Sequence, residues 1–262
     1  MKLNDLVLLS IIGLNAFGLT ACTKQIPVNT ISSQENEAEK YYDEGEKYLL
    51  GKDVSQDYTK AFQLIKKAAD AGLPIAQNNL GAIYMKSLGV KQDKEKAFYW
   101  IEKSANQNFA EAQYNLGVMY DQGFYVQKNR EKALELYKKA AEQNFAAAQF
   151  NLANAYHDGN GVVQDENKAF ELYAKAADQG FARAQYNLAN AYADGTFVIK
   201  DERKALELYK KAAEQNFPEA QYNLAYIYEN SFNNIKKARY WYSKALENGI
   251  SQAEEAMERL NE

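Results

Sequence analysis

From residue 38 onward, apolar residues return at helical intervals. In the stretch beginning at Ala110, the residues Ala112, Leu116, Met119 and Tyr120 stand at i, i+4, i+7 and i+8, which places them on one stripe of an α-helix. A loop follows, often with a glycine (Gly123, Gly159, Gly195). A second helix then carries pairs such as Leu136/Tyr137 and Ala140/Ala141 on its apolar side, with Glu and Lys outside. Such second helices are predicted to open on Asp57, Asp93, Asn129, Asp165, Asp201 and Asn234. Their side chains accept from the free N–H groups of a first turn, and losing one costs about 1 kcal/mol. They are predicted to close at Gly72, Asn108, Asn144, Gly180, Asn216 and Gly249, residue types that accept a left-handed turn. The next residue is apolar each time (Leu73, Phe109, Phe145, Phe181, Phe217, Ile250) and is expected to seal that turn.

The helix pair recurs. Ala112-Gln113-Tyr114-Asn115-Leu116 returns at Ala148, Ala184 and Ala220, with a weaker copy at Ala76, and Tyr48, Tyr84, Tyr120, Tyr156, Tyr192 and Tyr228 are each 36 residues apart. The phase sets six units over residues 38–250, the last one shortened, and Ser251 to Glu262 restarts a first helix as a terminal cap. The repeated letters, A-x-A-Q-[YF]-N-L-[GA]-x-x-Y and then K-A-x-x-x-[YW]-x-K-A-A, closely resemble the Sel-one-like repeat family, relatives of tetratricopeptide repeats. They cover about four fifths of the chain. The first copy departs most, with Lys40, Asp43 and Glu44 in place of Ala, Asn and Leu. No single unit can bury its stripe, so the expected fold is all-α, a right-handed superhelical α/α solenoid of six two-helix repeats plus a C-terminal capping helix. The resemblance implies a concave groove lined mainly by the first helices.

The first 21 residues read differently. Lys2 precedes a mostly apolar run from Leu6 to Leu19, too short and too interrupted (Ser10, Asn15) for a membrane span, so residues 1–21 are expected to be an export signal. The run ends in Leu19-Thr20-Ala21-Cys22, which resembles the lipobox of bacterial lipoproteins. That resemblance implies lipidation of Cys22 and anchoring by several acyl chains, each buried methylene contributing about 0.8 kcal/mol. Thr23 in place of the Asp that retains enteric lipoproteins at the inner membrane points to the outer membrane, with its periplasmic face as the expected location and the surface-exposed face left open. Residues 22–37, polar and non-periodic, are expected to be a tether between lipid and fold.

Composition narrows the chemistry. The 262 residues carry a net charge of -4, with one His and one Cys, so disulfide frameworks, Cys/His zinc sites and most histidine-based catalysis are excluded. There is no basic excess to hold a nucleic-acid backbone. The paired lysines, such as Lys138/Lys139, read as solvating charges on helix faces. No phosphate loop, nucleophile motif or cofactor fingerprint is present. Some cysteine-rich relatives have been associated with penicillin binding and β-lactam hydrolysis, but those carry paired cysteines in every repeat and these repeats carry none.

The expectation is a non-catalytic, monomeric scaffold that takes a protein or peptide partner, with an immunity protein neutralising a periplasmic toxin as a sharper version. On a helical wheel centred on Leu116, Tyr114, Val118 and Asp121 lie opposite the core stripe. With their equivalents Phe150, Asn154, His157, Tyr186, Asn190, Tyr222 and Tyr226 they form the candidate partner-binding face. Rings supply contact area at low entropy cost, and amides bond to a partner backbone. The same rings would serve equally well as wedges between repeats. His157, with no second His or Cys to complete a site, reads as a solvated or structurally bonded side chain.

Overall fold

The ends of the helices explain why each repeat folds as it does. In the computed structural model, which describes residues 33–260, Asp57, Asp93, Asn129, Asp165, Asp201 and Asn234 each accept from the backbone N–H three residues on, at 2.9–3.1 Å. Each second helix terminates in a left-handed residue, with φ from 61° at Asn216 to 101° at Gly72. The apolar residue that follows is the N-cap of the next helix at Leu73, Phe109, Phe145, Phe181 and Phe217, whereas Ile250 precedes the cap Ser251. Phe181 packs 5.3 Å from Phe150 and Phe217 packs 5.2 Å from Tyr186, the seal predicted for that turn.

Thirteen helices result among the described residues, and no strands. They are α1 (Ser33–Leu50), α2 (Tyr58–Asp70), α3 (Pro74–Lys86), α4 (Lys94–Asn106), α5 (Ala110–Gln122), α6 (Arg130–Glu142) and α7 (Ala146–Asp158). Then come α8 (Glu166–Asp178), α9 (Ala182–Asp194), α10 (Glu202–Glu214), α11 (Pro218–Asn230), α12 (Ile235–Glu247) and α13 (Gln252–Arg259). The chain is an all-α solenoid with a C-terminal helix. It divides into two compact units, one ending at Gln143 and one beginning at Asn144. Within each unit a second helix packs on its own first helix and on the first helix of the repeat that follows. One boundary differs from expectation: α1 begins at Ser33, so residues 33–37 of the expected tether are helical. The expected signal and Cys22 lie outside the described residues.

Buried amides hold the layers in register. Gln77, Gln113, Gln149, Gln185 and Gln221 of the first helices are all buried. Each accepts an amide N–H from the residue that caps its own repeat's second helix: Gln107, Gln143, Gln179, Gln215 and Asn248, at 2.7–2.9 Å. The other end reaches backwards. Gln77, Gln185 and Gln221 donate to the carbonyls of Ala69, Ala177 and Ala213 in the preceding repeat, at 3.1–3.2 Å. One side chain therefore links three helices. A buried amide left without such partners would be destabilising, so its place in the register is fixed.

Close approach sets the rest. A Cβ on Gly81 would lie 2.6 Å from Ile101 Cγ1, and in α7, α9 and α11 the matching residues are the fully buried alanines 153, 189 and 225. Gly89 is required twice over: its φ is +66°, and a Cβ there would meet the Tyr58 carbonyl oxygen at 2.2 Å. The tyrosine that closes each first helix is buried at Tyr84 and Tyr228 but only half-buried at Tyr48, Tyr120, Tyr156 and Tyr192. Tyr156 is half-buried, with the Lys168 ammonium 5.3 Å from its ring centre. The second helices bury Tyr137, Tyr173, Tyr209 and Tyr242, and of these Tyr137 and Tyr242 lie deepest.

Candidate functional site

The predicted face is not uniform along the chain. In α5 every residue from Ala112 to Met119 is buried, whereas α9 buries only Ala184, Gln185, Leu188 and Ala189. A wheel with one buried stripe describes α9 and fails for α5. Tyr114 and Val118 are buried, and the Tyr114 ring lies 5.8 Å from that of Tyr137. Phe150 is buried against Tyr173 and Phe181. Tyr114, Val118 and Phe150 therefore have little surface to present to a partner and act as wedges between helices. Tyr186 and Tyr222 are half-buried against Tyr209 and Tyr242. Asp121 is paired with Arg130 at 2.8 Å. Only Tyr226, 53% exposed, and His157 stand well into solvent among the ten residues of the face.

The two asparagines expected to be free for a partner are partly engaged. Asn154 Oδ1 accepts from the Tyr173 hydroxyl and Asn190 Oδ1 from the Tyr209 hydroxyl, both at 2.5 Å. Those hydroxyls in turn accept from Asn187 and Asn223 of the following repeat. Burial pushes both phenols up to about 12, partly offset by the asparagine donors, so they remain protonated and able to donate. The network ties α7 to α9 and α9 to α11 through a tyrosine of the helix between. Substituting these asparagines thus disturbs packing as well as surface. Sequence reasoning missed this role, although a signal existed: each tyrosine follows its asparagine by 19 residues.

What α7 to α9 leave open is a cleft of about 250 Å³. Its walls are Ala169, Phe170, Tyr173 and Ala191, and its polar lining is His157, Glu166, Asn187, Asn190, Asp194 and Thr196, with Phe197 beside them. His157 Nδ1 lies 2.8 Å from Glu166 Oε2, so the histidine is bonded within the fold. Glu166 Oε1 accepts from Gln164 at 2.9 Å. Among the described residues no group of three His, Cys, Asp or Glu side chains is placed to hold a metal ion, and no helix is long and apolar enough to cross a membrane.

A model of the Sel1 repeat matches six times in succession, over residues 45–73, 74–109, 110–145, 146–181, 182–217 and 218–250. The chain belongs to the Sel1 repeat family. The Sel1 chain is 36% identical to a Sel1 repeat protein from Oxalobacter formigenes, over 81% of this chain and 88% of that one, with a TM-score of 0.76. It also shares its fold with immunity protein Pa5087 from Pseudomonas aeruginosa (23% identity, 84% of each chain, TM-score 0.54). The same holds for immunity protein PA5088 from that organism (19% identity, 86% and 89% of the chains, TM-score 0.57). At those identities the likeness is one of fold alone. No curated protein matches the Sel1 chain significantly. Sel1 repeats form scaffolds suited to protein–protein interaction and are generally non-catalytic.

Proposed function

We propose that this chain is a non-catalytic adaptor of the bacterial envelope, anchored by lipid at Cys22 and binding a protein or peptide partner through the open face of its first helices. The observation that carries the reading is the contrast between α5, buried nearly all round, and α9, where Tyr186, Asn187, Asn190 and Tyr192 are only half-buried and Asp194 is exposed. A scaffold held rigid by internal amide bonds loses little entropy when a partner docks. On α11, Tyr226 is the ring of the ten-residue candidate face with the most free surface. Crosslinking the tagged protein in its own cells, followed by pull-down and mass spectrometry, is expected to enrich one dominant partner. That partner should be lost with Tyr226→Ala while the melting temperature stays unchanged. Equal capture by the variant would remove Tyr226 from the binding face, and enrichment of nothing would remove the resident-partner reading.

The lipid anchor has its own test. Cys22→Ser is expected to move the protein from the membrane to the soluble fraction, and continued sedimentation with membranes would refute the lipobox assignment. A second reading follows from the two immunity proteins that share the fold. If the partner is a toxin delivered to the periplasm, cells lacking this chain should die in contact with a toxin-delivering sibling. Survival equal to that of the parent would exclude it.

A further inference from the structure

The cleft between α7, α8 and α9 carries an inference that rests on the adaptor reading and sharpens it. At about 250 Å³ the cleft is below the roughly 300 Å³ at which small-molecule pockets begin, so it suits one long side chain better than a whole cofactor. Its floor is apolar and its polar lining is acidic: Glu166 and Asp194 contribute carboxylates, and no lysine or arginine lines it. Glu166 is already engaged by His157 and Gln164. The Asp194 carboxylate, by contrast, is exposed and makes no side-chain hydrogen bond or salt bridge with another described residue, although its charge helps to raise the Tyr209 phenol. Asn190 also lines the cleft; its oxygen is occupied by Tyr209 and Asn223, so its amide N–H groups are what it has to offer a ligand.

Phe197 completes the site at a structural cost. Its φ is +68°, in the left-handed region where a residue with a side chain is strained. The matching residues in the second and fourth repeats are Gly89 and Gly161, for which that conformation is free of penalty, while Asp53 and Tyr125 of the first and third repeats share the left-handed φ. Despite the strain, the ring is not buried. It is 45% exposed, and its centre lies 6.2 Å from the His157 ring on the rim of the cleft. Two residues further on, Ile199 stands 92% in solvent. A strained, exposed aromatic ring beside an unpaired carboxylate has the chemistry to receive a flat cation, because a guanidinium can stack on the ring and fork onto the carboxylate together.

We infer that this cleft receives an arginine side chain of the protein partner. The guanidinium lies against the Phe197 ring and pairs with Asp194, while the aliphatic stem runs over Phe170 and Ala191 and the Asn190 amide donates to the partner's backbone.

The test uses isotope-labelled full-length protein in detergent, titrated with acetyl-Gly-Arg-Gly-amide and followed by NMR. Saturable shifts of the Asn187 and Asn190 side-chain amides are expected, together with a shift of the Phe197 ring. The neutral citrulline analogue should leave them in place. Asp194→Asn should weaken binding at least tenfold, and Phe197→Gly several-fold. Neither variant endangers the fold, since one side chain is exposed and the other position takes glycine in two sister repeats. No shift at the cleft, or equal shifts with citrulline, would overturn the inference. Equal affinity for the lysine peptide would overturn the guanidinium assignment. If Asp194→Asn captured the cellular partner as well as the parent does, the cleft would be eliminated while the adaptor reading stood.

Discussion

Truncating Tyr242 to alanine is expected to lower stability by about 3–5 kcal/mol, the range for large aromatic side chains removed from a core. Tyr242 is fully buried in the cluster formed by α9 to α13, with its ring 5.3 Å from that of Tyr222. Its hydroxyl also donates to Glu229 Oε2 at 2.8 Å, and burial holds the phenol well above its usual pKa, so it remains a donor. Glu229 in turn grips Arg259 on the last helix through bonds of 2.9 and 3.0 Å. The alanine variant should therefore also loosen α13. Tyr242→Phe keeps the ring and loses one hydrogen bond, at about 1 kcal/mol. Because repeats couple only to neighbours, hydrogen exchange of α11 to α13 is the sensitive reading beside the denaturation midpoint. An alanine variant that unfolds at the parent's midpoint would show that the last repeat contributes little to stability.

The second large effect comes from an exposed residue. Gln107→Ala should cost about 2 kcal/mol, well beyond the ±0.5 kcal/mol typical of surface positions. Gln107 Nε2 donates to Gln77 Oε1 at 2.7 Å, and Gln77 is completely buried, so the truncation strands a carbonyl oxygen away from water. The companion change Gln77→Leu should recover much of that loss, since removing both partners leaves nothing unsatisfied. A double-mutant cycle measures the coupling. Simple additivity of the two changes would mean the pair is decorative.

Most of the fold could be read from the sequence because it is written in local signals. An aspartate that caps a helix or an asparagine that turns left-handed needs only its immediate neighbours, and every cap predicted from Asp57 to Asn234 is present. The candidate face was harder to read. A wheel asks which side of a helix is apolar, but α5 is enclosed on nearly all sides, so Tyr114 and Val118 are core despite lying opposite Leu116. Asn154 and Asn190 are polar letters whose partners are tyrosines on another helix, and helical periodicity carries no information about them. The glutamine clamp had a usable signal: a polar residue fixed in every repeat after the first, where Tyr41 stands, followed in four of them 30 residues later by another amide. The cleft beside Phe197 had almost none, because the matching loop position varies freely, from Asp53 through Gly89 and Tyr125 to Gly161, and only the fold brings Phe197 beside His157.

The clamp also bears on how such a chain changes length. Gln185 bonds to the Ala177 carbonyl and Gln221 bonds to the Ala213 carbonyl in the same way, so these two junctions present interchangeable halves. Excising residues 182–217 would hand Gln221 the Ala177 carbonyl in place of Ala213 and leave the surviving junctions chemically matched. Unequal recombination between the repeated segments can therefore add or remove whole 36-residue units in one event. The span offered to a partner then grows in integer steps, while point substitution is left to adjust the few loop and face residues that differ from one copy to the next.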